Sequence, residues 1–78
     1  DVVATDKTQH RLLVGECKFR NKPIDIPILR DLQEKTAYLG ATEKHYLLFA
    51  LNGFSTELER LAQDDPSIRL VSVEQLYQ

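Results

Sequence analysis

At 78 residues the chain holds one small domain, near the lower limit at which a single core is stable alone. An apolar content of 42% excludes a disordered polymer, the apolar runs fall well short of the roughly 20 residues that span a bilayer, and a net charge of −2 excludes holding nucleic acid by bulk charge. A single cysteine permits no internal disulfide and no zinc site built from several thiolates. With no visible export signal, these features predict a cytoplasmic protein with no membrane partner.

Residues 1–6 and 11–19 are rich in Val and Leu and predict two strands, with Lys7 to His10 as the hairpin loop between them. Asn21 to Asp25 is a loop. Asp25 then predicts an N-cap, and Pro27 suits the first turn of a helix running to about Leu39, with Gly40 ending it. Ile28, Leu29, Leu32, Thr36 and Leu39 form its apolar stripe.

Residues 45–51 are apolar on both faces, as in a strand buried within a parallel or mixed sheet. Thr56 with Glu59 matches a capping box and predicts a helix through about Gln63, stopped by Asp64-Asp65-Pro66. Ile68 to Val71 is a short strand, and Ser72 with Gln75 predicts a last helical turn. The predicted fold is α/β, a mixed sheet flanked by helices in the order β-β-α-β-α-β-α, in two or three layers.

The chemistry concentrates at Glu16-Cys17-Lys18. Alternation along a strand points Glu16 and Lys18 to one face and Cys17 to the other. A hairpin centred between Thr8 and Gln9 sets Asp6 opposite Arg11 and Asp1 opposite Glu16. Two carboxylates about 5 Å apart repel by roughly 1–3 kcal/mol, which a purely structural hairpin avoids. A divalent cation between them reverses that sign. Asp1, Glu16 and the Cys17 backbone carbonyl form the candidate metal ligands for Mg²⁺ or Mn²⁺. Lys18 can orient the attacking water and offset transition-state charge, while Arg20 and Lys22 are candidate phosphate contacts. On a solvated face the same Glu-x-Lys would be only a weak ion pair.

Asp1 together with Gly15-Glu16-Cys17-Lys18-Phe19 resembles the acid and Glu-x-Lys motifs of the PD-(D/E)XK nuclease superfamily. Asp1-Val2-Val3-Ala4, residues 13–23 and Tyr46-Leu47-Leu48-Phe49 leading into Gly53-Phe54-Ser55 resemble the C-terminal domain of unknown function of archaeal-type AAA ATPases. The resemblance implies a restriction-endonuclease-like core with Asp1 and Glu16 as Mg²⁺ ligands and Lys18 as catalytic lysine. It implies DNA as substrate class and an ATPase domain in the same polypeptide. Relatives place a helix and a strand before the acid. Their absence here predicts that residues 1–78 are a nuclease-like fragment truncated at its N-terminus, with an uncovered edge or face that favours a homodimer. RecB-like relatives carry Gln-x-x-x-Tyr on the next helix, whereas Gln33 and Tyr38 are five apart, leaving Gln33 a marginal site candidate and Tyr38 a packing residue.

His10 and His45 read as surface histidines, and Cys17 as a buried packing thiol. Two functions compete with different chemistry. One is a metal-dependent endonuclease. The other is a catalytically inactive nuclease-fold module serving DNA contact, oligomerisation or regulation of the ATPase. A purely structural α/β fragment, with neither metal nor nucleic-acid affinity, is the third.

Overall fold

The computed structural model describes residues 2–6, 11–40 and 43–73, with side chains described from Arg11 onward. Four strands, β1 (Val2–Asp6), β2 (Arg11–Lys18), β3 (Glu43–Ala50) and β4 (Ile68–Ser72), lie in that order across one sheet. β1 runs antiparallel to β2, from Asp6 opposite Arg11 to Val2 opposite Gly15, which is the expected hairpin register. β2, β3 and β4 are mutually parallel. Helix α1 (Ile26–Lys35) connects β2 to β3, and α2 (Thr56–Asp64) connects β3 to β4. The fold is therefore α/β with a mixed sheet. The expected first residue of β1, the residue 7–10 loop and the last helical turn fall outside the described residues.

Side chains alternate across a strand, so one set of positions must face each way. Leu12 and Val14 of β2, Tyr46, Leu48 and Ala50 of β3 and Ile68 of β4 are all buried, in one core with Leu29 and Leu32 of α1 and Leu58 of α2. Both helices thus cover the same sheet face, giving two layers among the described residues. The opposite face is half-open: Leu13 is 45% exposed, Leu47, Phe49 and Val71 are half-buried, and Cys17 is exposed. This corrects two expectations. β3 is buried on one face, not both, and Cys17 is a surface thiol, because no described helix lies over its side of the sheet.

Both helix starts are locked to the strand ends that feed them. Ile24 and Phe54 form a parallel bridge, with the Ile24 N–H donating to Gly53 O at 3.0 Å and the Ser55 N–H to Ile24 O at 2.8 Å. Gly53 adopts φ 79°, a left-handed conformation that a side chain disfavours. Asp25 caps α1, accepting the Ile26 N–H at 2.7 Å and the Ser55 hydroxyl at 2.6 Å. The same Ser55 oxygen accepts the Leu58 N–H at 3.1 Å and caps α2. The cap is Ser55, one residue before the expected Thr56, because it alone is placed to serve both helices. α1 ends at Lys35, four residues earlier than expected: the Thr36 hydroxyl donates to Leu32 O at 2.8 Å and the chain turns. Thr36 is nonetheless buried and Leu39 still packs on the core.

The Ser55 hydroxyl, followed by the Ile26 N–H, holds the Asp25 carboxyl below its ordinary range. A depressed carboxylate stabilises the fold above its unfolded-chain value and loses that contribution as pH falls through its folded value. Asp25→Asn should therefore be less stable than wild type near neutrality, with the difference starting to shrink only below about pH 4 and vanishing once pH has fallen through the lowered folded value, in urea titrations. Ser55→Ala should cost about 1 kcal/mol, as loss of a helix cap does. Cys17 in the native chain should react with a maleimide nearly as fast as in the urea-unfolded chain; protection would show that its face is covered.

Candidate functional site

Glu16 follows Leu12 and Val14 on the helix-covered face of β2, so the strand's period of two carries a carboxylate into the core row. Its side chain is only 2% exposed. Desolvating a carboxylate costs several kcal/mol unless charge and hydrogen bonds compensate. Two ammonium groups approach one of its oxygens: Lys18 Nζ lies 3.7 Å and Lys35 Nζ 3.4 Å from Oε1. These are long contacts, the first beyond hydrogen-bonding range and the second at its outer edge. Oε2 is buried and accepts no hydrogen bond from the described residues.

The two lysines arrive from different elements. Lys18 is two residues on along β2, on the same face, and its side chain is 35% exposed. Lys35 comes from the last turn of α1, where Asp31 one turn earlier holds it at 3.4 Å. The Glu16 carboxylate beside it, with a smaller contribution from Asp31, raises the Lys35 ammonium above its ordinary value, so it stays charged throughout the physiological range. Sequence reading missed Lys35. The signal was present: Lys35 lies seven residues after Ile28 and three after Leu32, on the core-facing stripe of α1, where a cation requires a partner.

The other expected site residues are distributed as follows. Asp1 lies outside the described residues. Cys17 directs its side chain to the opposite sheet face, which leaves its backbone carbonyl as the only ligand it could offer. Arg20 and Lys22 are exposed in the connection after β2, and the Arg20 carbonyl accepts from Asn52 Nδ2. Gln33 accepts from Arg30 Nη1 at 3.0 Å on the surface of α1. Tyr38, expected to pack, is 81% exposed. His45 is at the surface as expected, but it has an acid beside it: its Nε2 lies 2.6 Å from Glu43 Oε2, two residues back on the same strand face. Arg11 completes that pair at 3.4 Å, and the His45 contact is the main reason the Glu43 carboxyl sits below its usual range.

A divalent cation fits one feature of this geometry, the buried and unpartnered Glu16 Oε2. Among the described residues no group of three or more His, Cys, Asp or Glu side chains converges, so a cation here would draw on backbone oxygens, water, substrate or Asp1. No helix among the described residues is long and apolar enough to cross a membrane. No family model, curated protein or solved structure matches the chain.

A buried ion pair optimised for stability does not leave an oxygen orphaned. Glu16→Met, which fills the space without charge, should be as stable as wild type or more stable by about 1–2 kcal/mol in EDTA. A loss of several kcal/mol in a urea titration would mark Glu16 as a structural ion-pair residue instead.

Proposed function

We propose that this chain is a nuclease-like module of the PD-(D/E)XK type that hydrolyses phosphodiester bonds of DNA with Mg²⁺ or Mn²⁺, within a longer ATPase-linked protein. One observation carries the proposal: a buried carboxylate with an unpartnered oxygen stands beside the lysine two residues on, in a Glu-x-Lys strand. The mixed sheet and the hairpin register support it.

Glu16 Oε2, the Cys17 carbonyl and Asp1 would hold the cation. When bound, such a cation supplies a Lewis acid for a phosphate oxygen and acidifies a water. In the reaction a water oxygen bonds to phosphorus as the bond from phosphorus to the leaving sugar oxygen breaks. One water proton is released to solvent and the leaving oxygen takes one up. Lys18 faces the developing negative charge and stabilises it electrostatically. Arg20 and Lys22 extend the positive surface along the flanking backbone.

A second reading has its own supporting observation. Two ammonium groups, Lys18 and Lys35, already approach the Glu16 carboxylate, as in a nuclease fold that has lost its metal and serves DNA contact, oligomerisation as a homodimer, or regulation of an ATPase.

Calorimetry with Mn²⁺ and a supercoiled-plasmid assay separate the two. The nuclease proposal expects Mn²⁺ binding and metal-dependent nicking, reduced on the order of 10²–10³-fold in Glu16→Ala and Lys18→Ala while circular dichroism is retained. Absence of both heat and nicking in wild type, or nicking undiminished in both variants, overturns it.

A further inference from the structure

We infer that Phe19 is a base-stacking residue at the rim of the site, which directs the module to single-stranded DNA in preference to duplex. The inference rests on the phosphodiester reading above and adds to it the state of the substrate strand.

Phe19 follows Lys18 directly, so its Cα lies about 3.8 Å from that of the proposed catalytic lysine. Burying its ring would be favourable, yet Phe19 is 65% exposed. Lys18 and Ala50 are register partners, and the residue after Ala50, Leu51, is 47% exposed. Two large apolar side chains therefore reach solvent where the neighbouring strands β2 and β3 end.

The charges beside Phe19 suit a nucleic-acid strand. Arg20 and Lys22 are exposed, and neither side chain makes an ion pair with a described carboxylate. Residues 17–24 contain no Asp or Glu. The next acid, Asp25, is committed to the Ile26 N–H and the Ser55 hydroxyl. Cations next to an exposed ring match a single-strand platform, in which backbone phosphates meet the cations and a base lies on the aromatic face. An apolar partner surface would account for the ring and leave the cations unmatched.

The segment that carries the ring is also held in place. Asn52 Nδ2 donates to the Arg20 carbonyl, and Ile24 bridges to Phe54, so the connection after β2 is tied twice to the connection after β3. A backbone fixed in this way needs little ordering when a base stacks on it. In a duplex the base faces already cover one another. An unpaired strand offers a face to Phe19, and an intact duplex does not.

The test is fluorescence anisotropy of a short fluorescein-labelled DNA oligonucleotide, alone and annealed to its complement, with the whole 78-residue chain in EDTA. Wild type should bind the single strand more tightly than the duplex. Phe19→Ala should weaken single-strand binding about 5- to 150-fold and leave the slope of log K against log salt unchanged. Lys22→Ala should instead reduce that slope by about 0.7. Phe19→Tyr should bind as wild type, whereas Phe19→Leu, which keeps apolar bulk without a π face, should bind like Phe19→Ala. Tyr38→Ala removes an exposed aromatic with no cation within two residues and should change nothing. The chain has no Trp, so Phe19→Trp supplies a single reporter whose emission the bound single strand should quench. Equal or tighter binding of duplex, full single-strand affinity in Phe19→Ala, an equal loss in Tyr38→Ala, or no binding by wild type overturns the inference. A wild-type dimer in sedimentation that Phe19→Ala dissociates, without single-strand preference, also overturns it and assigns the ring to a second copy. Failure of metal-dependent nicking with a normal Phe19 effect rejects the nuclease chemistry alone, and nicking without a Phe19 effect rejects the stacking contact alone.

Discussion

The period of two along β2 places Leu12, Val14 and Glu16 in one row under the helices, and the rest of the site follows from that row. The first two positions supply apolar core. The third supplies a carboxylate where another aliphatic side chain would be energetically simpler. The chain tolerates this because two lysines reach Oε1, yet their contacts are long and Oε2 accepts no hydrogen bond from the described residues. A buried carboxylate held this way is costly, and the proposed chemical role of Glu16 rests on that cost.

The frame that holds Glu16 and Lys35 together lies at the opposite end of α1 from the site. The Ile24–Phe54 bridge and the shared Asp25–Ser55 cap join the segments leaving β2 and β3, and so fix where both helices begin. A rigid helix of ten residues then transmits that position to Lys35 in its last turn. Thr36, bonding back to Leu32 O, stops the helix immediately afterwards, so the lysine stem leaves α1 at a defined height over the sheet. Backbone geometry in the loops and one helix length therefore bring Lys35 to the Glu16 carboxylate.

Much of this was legible in the residues. The hairpin register followed from the position of the loop and the Asp6–Arg11 pair, and the strand–helix alternation after Glu16 followed from caps and apolar period. Alternation also placed Glu16 and Lys18 on one face. What was not legible depended on contacts between distant elements. Lys35 is nineteen positions from Glu16, and only the crossing of α1 over β2 brings them together, although its place on the apolar stripe was a usable sign. Ser55 displaced Thr56 as the cap: Asp25, thirty positions away, accepts a hydrogen bond from its hydroxyl, which leaves the Ser55 oxygen to accept the Leu58 N–H. Leu13, Cys17, Leu47 and Phe49 were apolar enough to suggest a second buried face, but apolar composition states only that burial is favourable and not which layer provides it.

Glu16 Oε2, unpartnered among the described residues, is proposed to bind a cation. Paramagnetic broadening of backbone amide resonances by substoichiometric Mn²⁺, in the folded 78-residue chain, tests it most directly. Broadening centred on Gly15 to Lys18 and on the last turn of α1, and lost in Glu16→Gln, is the predicted result. Broadening centred on the exposed Glu43–His45 pair, or spread evenly over the acidic surface, would contradict the account.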